Sequence, residues 1–232
     1  MTRPIVGSGA LLALVFSVTP ANAAQAQASA TPPQAAPTPP LPIVAPTGRP
    51  IASIDLMTTE GVAIVRAQWR AMDARIVEAP PRPNAGEWTV SYDVHPKAGS
   101  AEFDDSSWAA IDAAALAKDR RGGGGAYMTW YRINLTMPQR IGEVDPGRST
   151  AVFHVVVDDY AEVWVNGQLP RAVGKPSPNL VQGFNLPNRV VISEAVKPGD
   201  RIQIAVFGMN GPISLAPLNP VFIREARIEF FK

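Results

Sequence analysis

The sequence predicts an all-β protein, an antiparallel β-sandwich, and three observations carry that expectation. Short runs alternate apolar and polar residues, as in Trp88, Val90, Tyr92 and Val94 against Thr89, Ser91 and Asp93, which is the period of a half-buried strand. Turn signals rich in Pro, Gly, Asn and Asp separate these runs. Long stretches of helical periodicity are scarce, and no period of propeller-blade length recurs. Apolar residues make up 46% of the 232 residues, enough for a substantial core.

The chain opens on an address. Met1-Thr2-Arg3 is a positive start, Ile5 to Val18 is an apolar run too short to span a bilayer, and Ala21-Asn22-Ala23 is a cleavage signal. Residues 1–23 therefore read as a secretory signal peptide, so the mature protein is expected to be secreted or periplasmic and to carry no membrane span. Eight prolines fall between Pro32 and Pro50. Residues 24–50 are expected to form a disordered Pro/Ala-rich linker, because such a composition cannot bury enough apolar surface to offset its ordering entropy. The folded domain is expected over residues 51–232.

Within that domain, Gly61 argues against a helix and Val62, Ile64 and Val65 suit a strand. Ala74 to Ala79 reads as a strand and Ala109 to Lys118 as one short helix. Arg120-Arg121 and Gly122 to Gly125 read as a surface loop. No Gly-Lys-Ser/Thr follows to make it a phosphate loop. Tyr127 to Met137 is a strand ended by Pro138. Ala151 to Gly167 is the strongest stretch. A β-branched run to Val157 meets the acidic turn Asp158-Asp159-Tyr160, and an alternating run follows from Ala161 to Val165. Asn166-Gly167 then supplies a tight hairpin turn. Gln168 to Asn188 reads as a long loop and Arg189 to Ile192 as a strand. Lys197-Pro198-Gly199-Asp200 is a turn. Strands led by Ile202, Ile204 and Val206, and by Ala226, Ile228 and Phe230, close the domain.

Composition excludes several chemistries. Cysteine is absent, and Lys+Arg 21 nearly balances Asp+Glu 20. Disulfides and thiolate sites are therefore ruled out, and no charge excess points to nucleic acid. His95 and His154 are the only histidines. His154 lies opposite in phase to Phe153, Val155 and Val157, and a structural role is expected for it.

Four motifs now stand in order. They are Phe103-Asp104-Asp105-Ser106-Ser107-Trp108, Trp130-Tyr131-Arg132, Asp159 to Gly167 and Lys197-Pro198-Gly199-Asp200. As an ordered set this resembles the galactose-binding-like jelly-roll domain, the sugar-binding domain of β-galactosidase and β-glucuronidase type glycoside hydrolases. Glu60-Gly61-Val62, Gln68-Trp69-Arg70, Tyr160 to Arg171 and Gly183 to Val191 are similar to an accessory domain of gluconolactonase-like proteins. The resemblance implies a jelly roll appended to an enzyme, with a carbohydrate or sugar-acid ligand and a carbohydrate-active partner. The catalytic barrel of the hydrolases and the lactonase propeller are both missing from this chain, so no residue is assigned a catalytic role.

Candidate ligand residues follow from chemistry. Indole rings stack on the C–H faces of pyranoses while carboxylates and amides bond hydroxyls. Trp130, Asp158, Asp159, Glu162, Trp164 and Asn166 offer these groups around the central stretch. Gln182, Phe184, Asn185, Asn188 and Arg189 offer them on the following loop. The valines beside Glu162 and Trp164 are expected to be core. The acidic turns also suit a structural calcium, but no spaced Asp-x-Asp-x-Asp loop assigns its site. The expected function is non-catalytic carbohydrate binding, or an accessory role. A structural or protein-interaction module of the envelope is the alternative, and a hydrolase or lactonase the third reading.

Overall fold

In the computed structural model, residues 44–79, 91–122, 127–169, 185–210 and 219–232 are described. All of them belong to one unit, Thr38–Lys232. The expectations for the signal peptide, most of the linker, residues 88–90, the glycine run after Gly122, and Gln182 and Phe184 lie outside the described residues.

Two antiparallel sheets face each other. The first has the order β1 (Ala52–Asp55), β10 (Phe222–Phe231), β6 (Thr150–Asp158), β8 (Asn188–Ser193). The second has the order β3 (Ser91–His95), β2 (Trp69–Ala79), β5 (Tyr127–Thr136), β9 (Arg201–Asn210), β7 (Tyr160–Val165), with β4 (Ala109–Ile111) also paired to β2. This is the all-β sandwich the alternation predicts.

The core is the interdigitated inner faces. Tyr131, Ile133 and Leu135 of β5, with Ile202, Ile204 and Val206 of β9, meet Phe153, Val155 and Val157 of β6 and Ala226, Ile228 and Phe230 of β10. Each large side chain so buried contributes about 1.5–3 kcal/mol. Trp69 is fully buried, and its indole N–H donates to the Leu56 carbonyl at 2.8 Å, so the polar atom of the ring is satisfied.

Several local expectations change. Residues Thr59–Ile64 form a short helix, α1, instead of a strand. The Thr58 hydroxyl caps it by accepting from the Gly61 N–H at 3.0 Å. Gly61 is there for space, since a Cβ would stand 1.7 Å from the Asp55 carbonyl oxygen. Residues 109–118 divide into β4 and a 3-10 helix at Ala113–Lys118, which the Asp112 carboxylate caps. Strand β2 runs longer than expected, from Trp69.

The larger correction concerns the central stretch. β6 and β7 do not pair as a hairpin. β6 pairs β10 and β8, whereas β7 pairs β9 in the opposite sheet. The acidic turn is a corner at which the chain changes sheets. Asn166 and Gly167 do make the tight turn, with φ of +48° and +78°, as a type I′ turn requires. Its described pairing is a single bridge, Val165 to Gln168.

Candidate functional site

Alternation along three neighbouring strands puts a set of aromatic rings on the outer face of the larger sheet. β5 sends Tyr131 inward and Trp130 outward. β7 sends Ala161 and Val163 inward and Glu162 and Trp164 outward. β9 adds Phe207 in register with both Trp130 and Glu162. The Trp130 and Phe207 ring centres are 4.8 Å apart, and Trp130 meets Trp164 edge-on at 6.4 Å.

The segment between β3 and β4 folds over this face, and Arg132 holds it there. Arg132 is 2% exposed. Its Nε donates to Asp105 Oδ2 at 2.8 Å, and its Nη atoms donate to the carbonyls of Ala98, Ser100 (3.0 Å) and Phe103 (3.2 Å). Arg70 adds Nη1 to the Trp108 carbonyl at 2.5 Å. The Ser106 N–H donates to Asp104 Oδ1 at 2.9 Å, fixing an Asx turn. Trp108 packs on Phe103 at 5.2 Å and is buried with Trp130. The Asp-Asp-Ser-Ser-Trp and Trp-Tyr-Arg motifs are therefore two halves of one clamp: a guanidinium on a strand and a carboxylate in the loop it fastens.

Between the clamped loop and strands β5, β9 and β7 lies a cleft of about 550 Å³. Trp130, Trp164 and Phe207 supply aromatic surface. Val94 of β3 and Gly99 and Ala101 of the loop complete the apolar lining. Gly99 sits against the Trp164 ring so closely that a Cβ would be 2.7 Å from it. Gly167 approaches the Ala101 N–H similarly, also at 2.7 Å for an added Cβ. Polar groups surround the apolar surface. Glu162 Oε2 accepts from the Trp164 indole N–H at 3.3 Å. Lys97 pairs with Asp93 at 2.5 Å. The Ser100 hydroxyl donates to Glu102 at 2.6 Å and holds that carboxyl below the usual carboxylate range. Asn166 Oδ1 accepts from the Gln203 N–H at 2.9 Å, tying the turn to β9. The Trp130 indole N–H is buried and has no hydrogen-bond partner among the described residues.

Of the residues the sequence singled out, Trp130, Glu162, Trp164 and Asn166 come together here. The rest do not. Asp158 and Asp159 sit at the sheet-changing corner. Asp159 is fully buried and its Oδ2 accepts from Asn219 at 2.9 Å. Burial, the neighbouring Asp159 carboxyl and its charge push Asp158 up to about 6, against the opposing charge of Arg224. Asn188 is 2% exposed and donates to the Ala161 carbonyl, linking β8 to β7. Arg189 lies in the other sheet, bonded to Glu229 at 2.7 Å and to the Pro46 carbonyl at 2.8 Å. Asn185 adopts a positive φ of +53° and its N–H donates to the Asp159 carbonyl. These five positions make their contacts within the fold. Phe207, Asp93, Lys97 and Glu102 escaped the sequence reading. Phe207 was signalled by an aromatic in the polar phase of β9.

His154 is buried on the outer face of the smaller sheet, between Glu225 at 3.1 Å and Arg227 at 3.2 Å. Burial and the Arg227 charge lower its pKa. The neutral ring then accepts from Arg227 at Nδ1 and donates from Nε2 to Glu225, a structural role. Among the described residues, no group of three or more His, Asp or Glu side chains is placed to hold a metal ion. No helix among them is long and apolar enough to cross a membrane.

No protein-family model matches the chain, and no curated protein matches it. Solved structures do. A β-glucuronidase from Bacteroides uniformis aligns at 19% identity with a TM-score of 0.44, covering 77% of this chain and 18% of that one. A glycosyl hydrolase family 2 member from Bacteroides cellulosilyticus aligns at 16% identity and TM-score 0.38, covering 69% and 20%. A β-glucuronidase from Faecalibacterium prausnitzii aligns at 14% identity and TM-score 0.35, covering 81% and 32%. The chain thus spans between about a fifth and a third of the length of these enzymes.

Proposed function

We propose that the cleft binds carbohydrate and that the chain is an exported, non-catalytic carbohydrate-binding or accessory module. One observation carries the reading. Three aromatic rings, Trp130, Trp164 and Phe207, lie in one cleft together with the polar groups of Asp93, Lys97, Glu102 and Glu162. Pyranoses are amphipathic in the same way, with apolar C–H faces and hydroxyl edges. An accessory role beside a carbohydrate-active enzyme agrees with the ordered motifs.

The test is a glycan array probed with the full-length protein, followed by calorimetry on each hit. The reading expects at least one pyranoside ligand whose affinity falls about tenfold or more in Trp164→Ala, the scale set by about 1.4 kcal/mol of lost stacking and burial. A blank array across neutral, amino and acidic glycans contradicts it. The export reading rests on Met1 to Ala23. It expects secreted protein whose N-terminal sequence begins at Ala24, and an intact Met1 after secretion contradicts it.

A further inference from the structure

We propose that Tyr160 and Met209 form a second sugar subsite beside the cleft, so that the ligand is an oligosaccharide chain and not a single sugar. The inference rests on the carbohydrate reading of the cleft and goes further along the same sheet. Strand register supplies the geometry. Across the outer face, Glu162 stands opposite Phe207, and Phe207 opposite Trp130. Two residues along each strand, Tyr160 stands opposite Met209, and Met209 opposite Met128. Residues two apart point to the same face and lie about 7 Å apart. The Tyr160–Met209 row therefore continues the cleft row at about the spacing of one sugar ring from the next.

Exposure sets this pair apart from its neighbours. Tyr160 is 39% exposed and Met209 is 43% exposed, while Ala161 beside Tyr160 is 5% and Gly208 beside Met209 is buried. Nothing in the core calls for large apolar side chains at these two outward positions. A phenol provides a stacking face and a hydroxyl, and a thioether adapts its shape to an uneven ring. Met128, the next residue in the row, is only 9% exposed. The apolar strip is thus two side chains wide here, which is narrow for a protein contact of about 800 Å² per partner. It suits a single chain of sugars laid along β7 and β9, with rings against Trp164 and Phe207 in the cleft and a further ring against Tyr160.

Calorimetric titration of the full-length protein with cello-oligosaccharides and manno-oligosaccharides of increasing length tests this. Affinity is expected to rise at least about tenfold between the monosaccharide and the di- or trisaccharide, and then to level off. The Tyr160→Ala, Met209→Ala double variant is expected to lose that rise, and Tyr160→Phe to keep most of it. Circular dichroism confirms that each variant is folded. Equal affinity at every length, or a rise that survives the double variant, overturns the subsite. Length-independent binding that is lost in Trp164→Ala overturns the subsite and leaves the cleft reading standing. No binding of any sugar overturns both. A change in sedimentation on Tyr160→Ala, with sugar titrations unaltered, assigns the face to contact between copies of the chain and also overturns the subsite.

Discussion

Trp164 and Trp130 divide the work of the cleft between them at the level of single residues. Trp164 is half-buried, backed by Gly99 and hydrogen-bonded to Glu162, so its ring orientation is set before any ligand arrives. Trp130 is 4% exposed with an unpaired N–H. Trp130→Phe is expected to leave the melting temperature within a few degrees while weakening sugar binding, a split that calorimetry and thermal unfolding read together. Gln203 gives a pure stability test. It is 8% exposed, and both amide atoms lack partners. A buried unmade hydrogen bond costs about 1–3 kcal/mol, so Gln203→Met is expected to raise unfolding free energy by about 1 kcal/mol in urea titration. Asp158 gives a pH test. Its pKa is raised to about 6 in the fold, above the ordinary aspartate value near 4. The folded state then binds more protons than the unfolded one between those values. Its stabilising contribution is full below pH 4 and is lost as pH rises through about 6. Stability of wild type relative to Asp158→Asn is expected to fall from pH 4 to pH 7; a flat difference contradicts the account.

The elements show where alternation suffices as evidence and where it does not. It placed the inner faces of β7, β9 and β10 correctly, because burial of one face dictates a period of two. It also placed Glu162 and Trp164 on the outer face. Pairing was not legible. The two runs joined by the short turn Asp158-Asp159-Tyr160 look like a hairpin in sequence, yet β6 and β7 belong to opposite sheets, because partners distant in the chain decide which edge each strand joins. The helix at Thr59–Ile64 was hidden by Gly61, whose poor helix propensity is overridden by close approach to the Asp55 carbonyl. Gly61→Ala is accordingly expected to destabilise the domain by about 3 kcal/mol through overpacking, measured by chemical denaturation. The Arg132 clamp belongs to this scale as well. Arg132→Met leaves Asp105 and the Ala98, Ser100 and Phe103 carbonyls without their donor. Removing one partner of a buried pair costs about 3–5 kcal/mol. The loop over the cleft should then loosen, and faster proteolysis between β3 and β4 reads that directly.

Across the whole molecule, the two sheets do different jobs. The smaller sheet packs its inner face into the core and lays a ladder of Arg189, Glu229, Arg227, Glu225 and His154 over its outer face. The larger sheet keeps its outer face for the clamped loop, the cleft and the Tyr160–Met209 row. Half of this site could be read from residue types alone, since Trp130 and Trp164 announce themselves by chemistry. The other half could not, because Lys97 and Glu102 reach the cleft only once Arg132 has folded their segment over the sheet, and Asp93 only through the pairing of β3 with β2. The account turns on whether a sugar ring lies against the Trp164 indole. Saturation-transfer NMR on a bound oligosaccharide measures that contact at the level of single protons. The expected result is transfer concentrated on the C–H protons of one pyranose face, abolished in Trp164→Ala. Transfer spread evenly over the sugar, or unchanged in that variant, would contradict it.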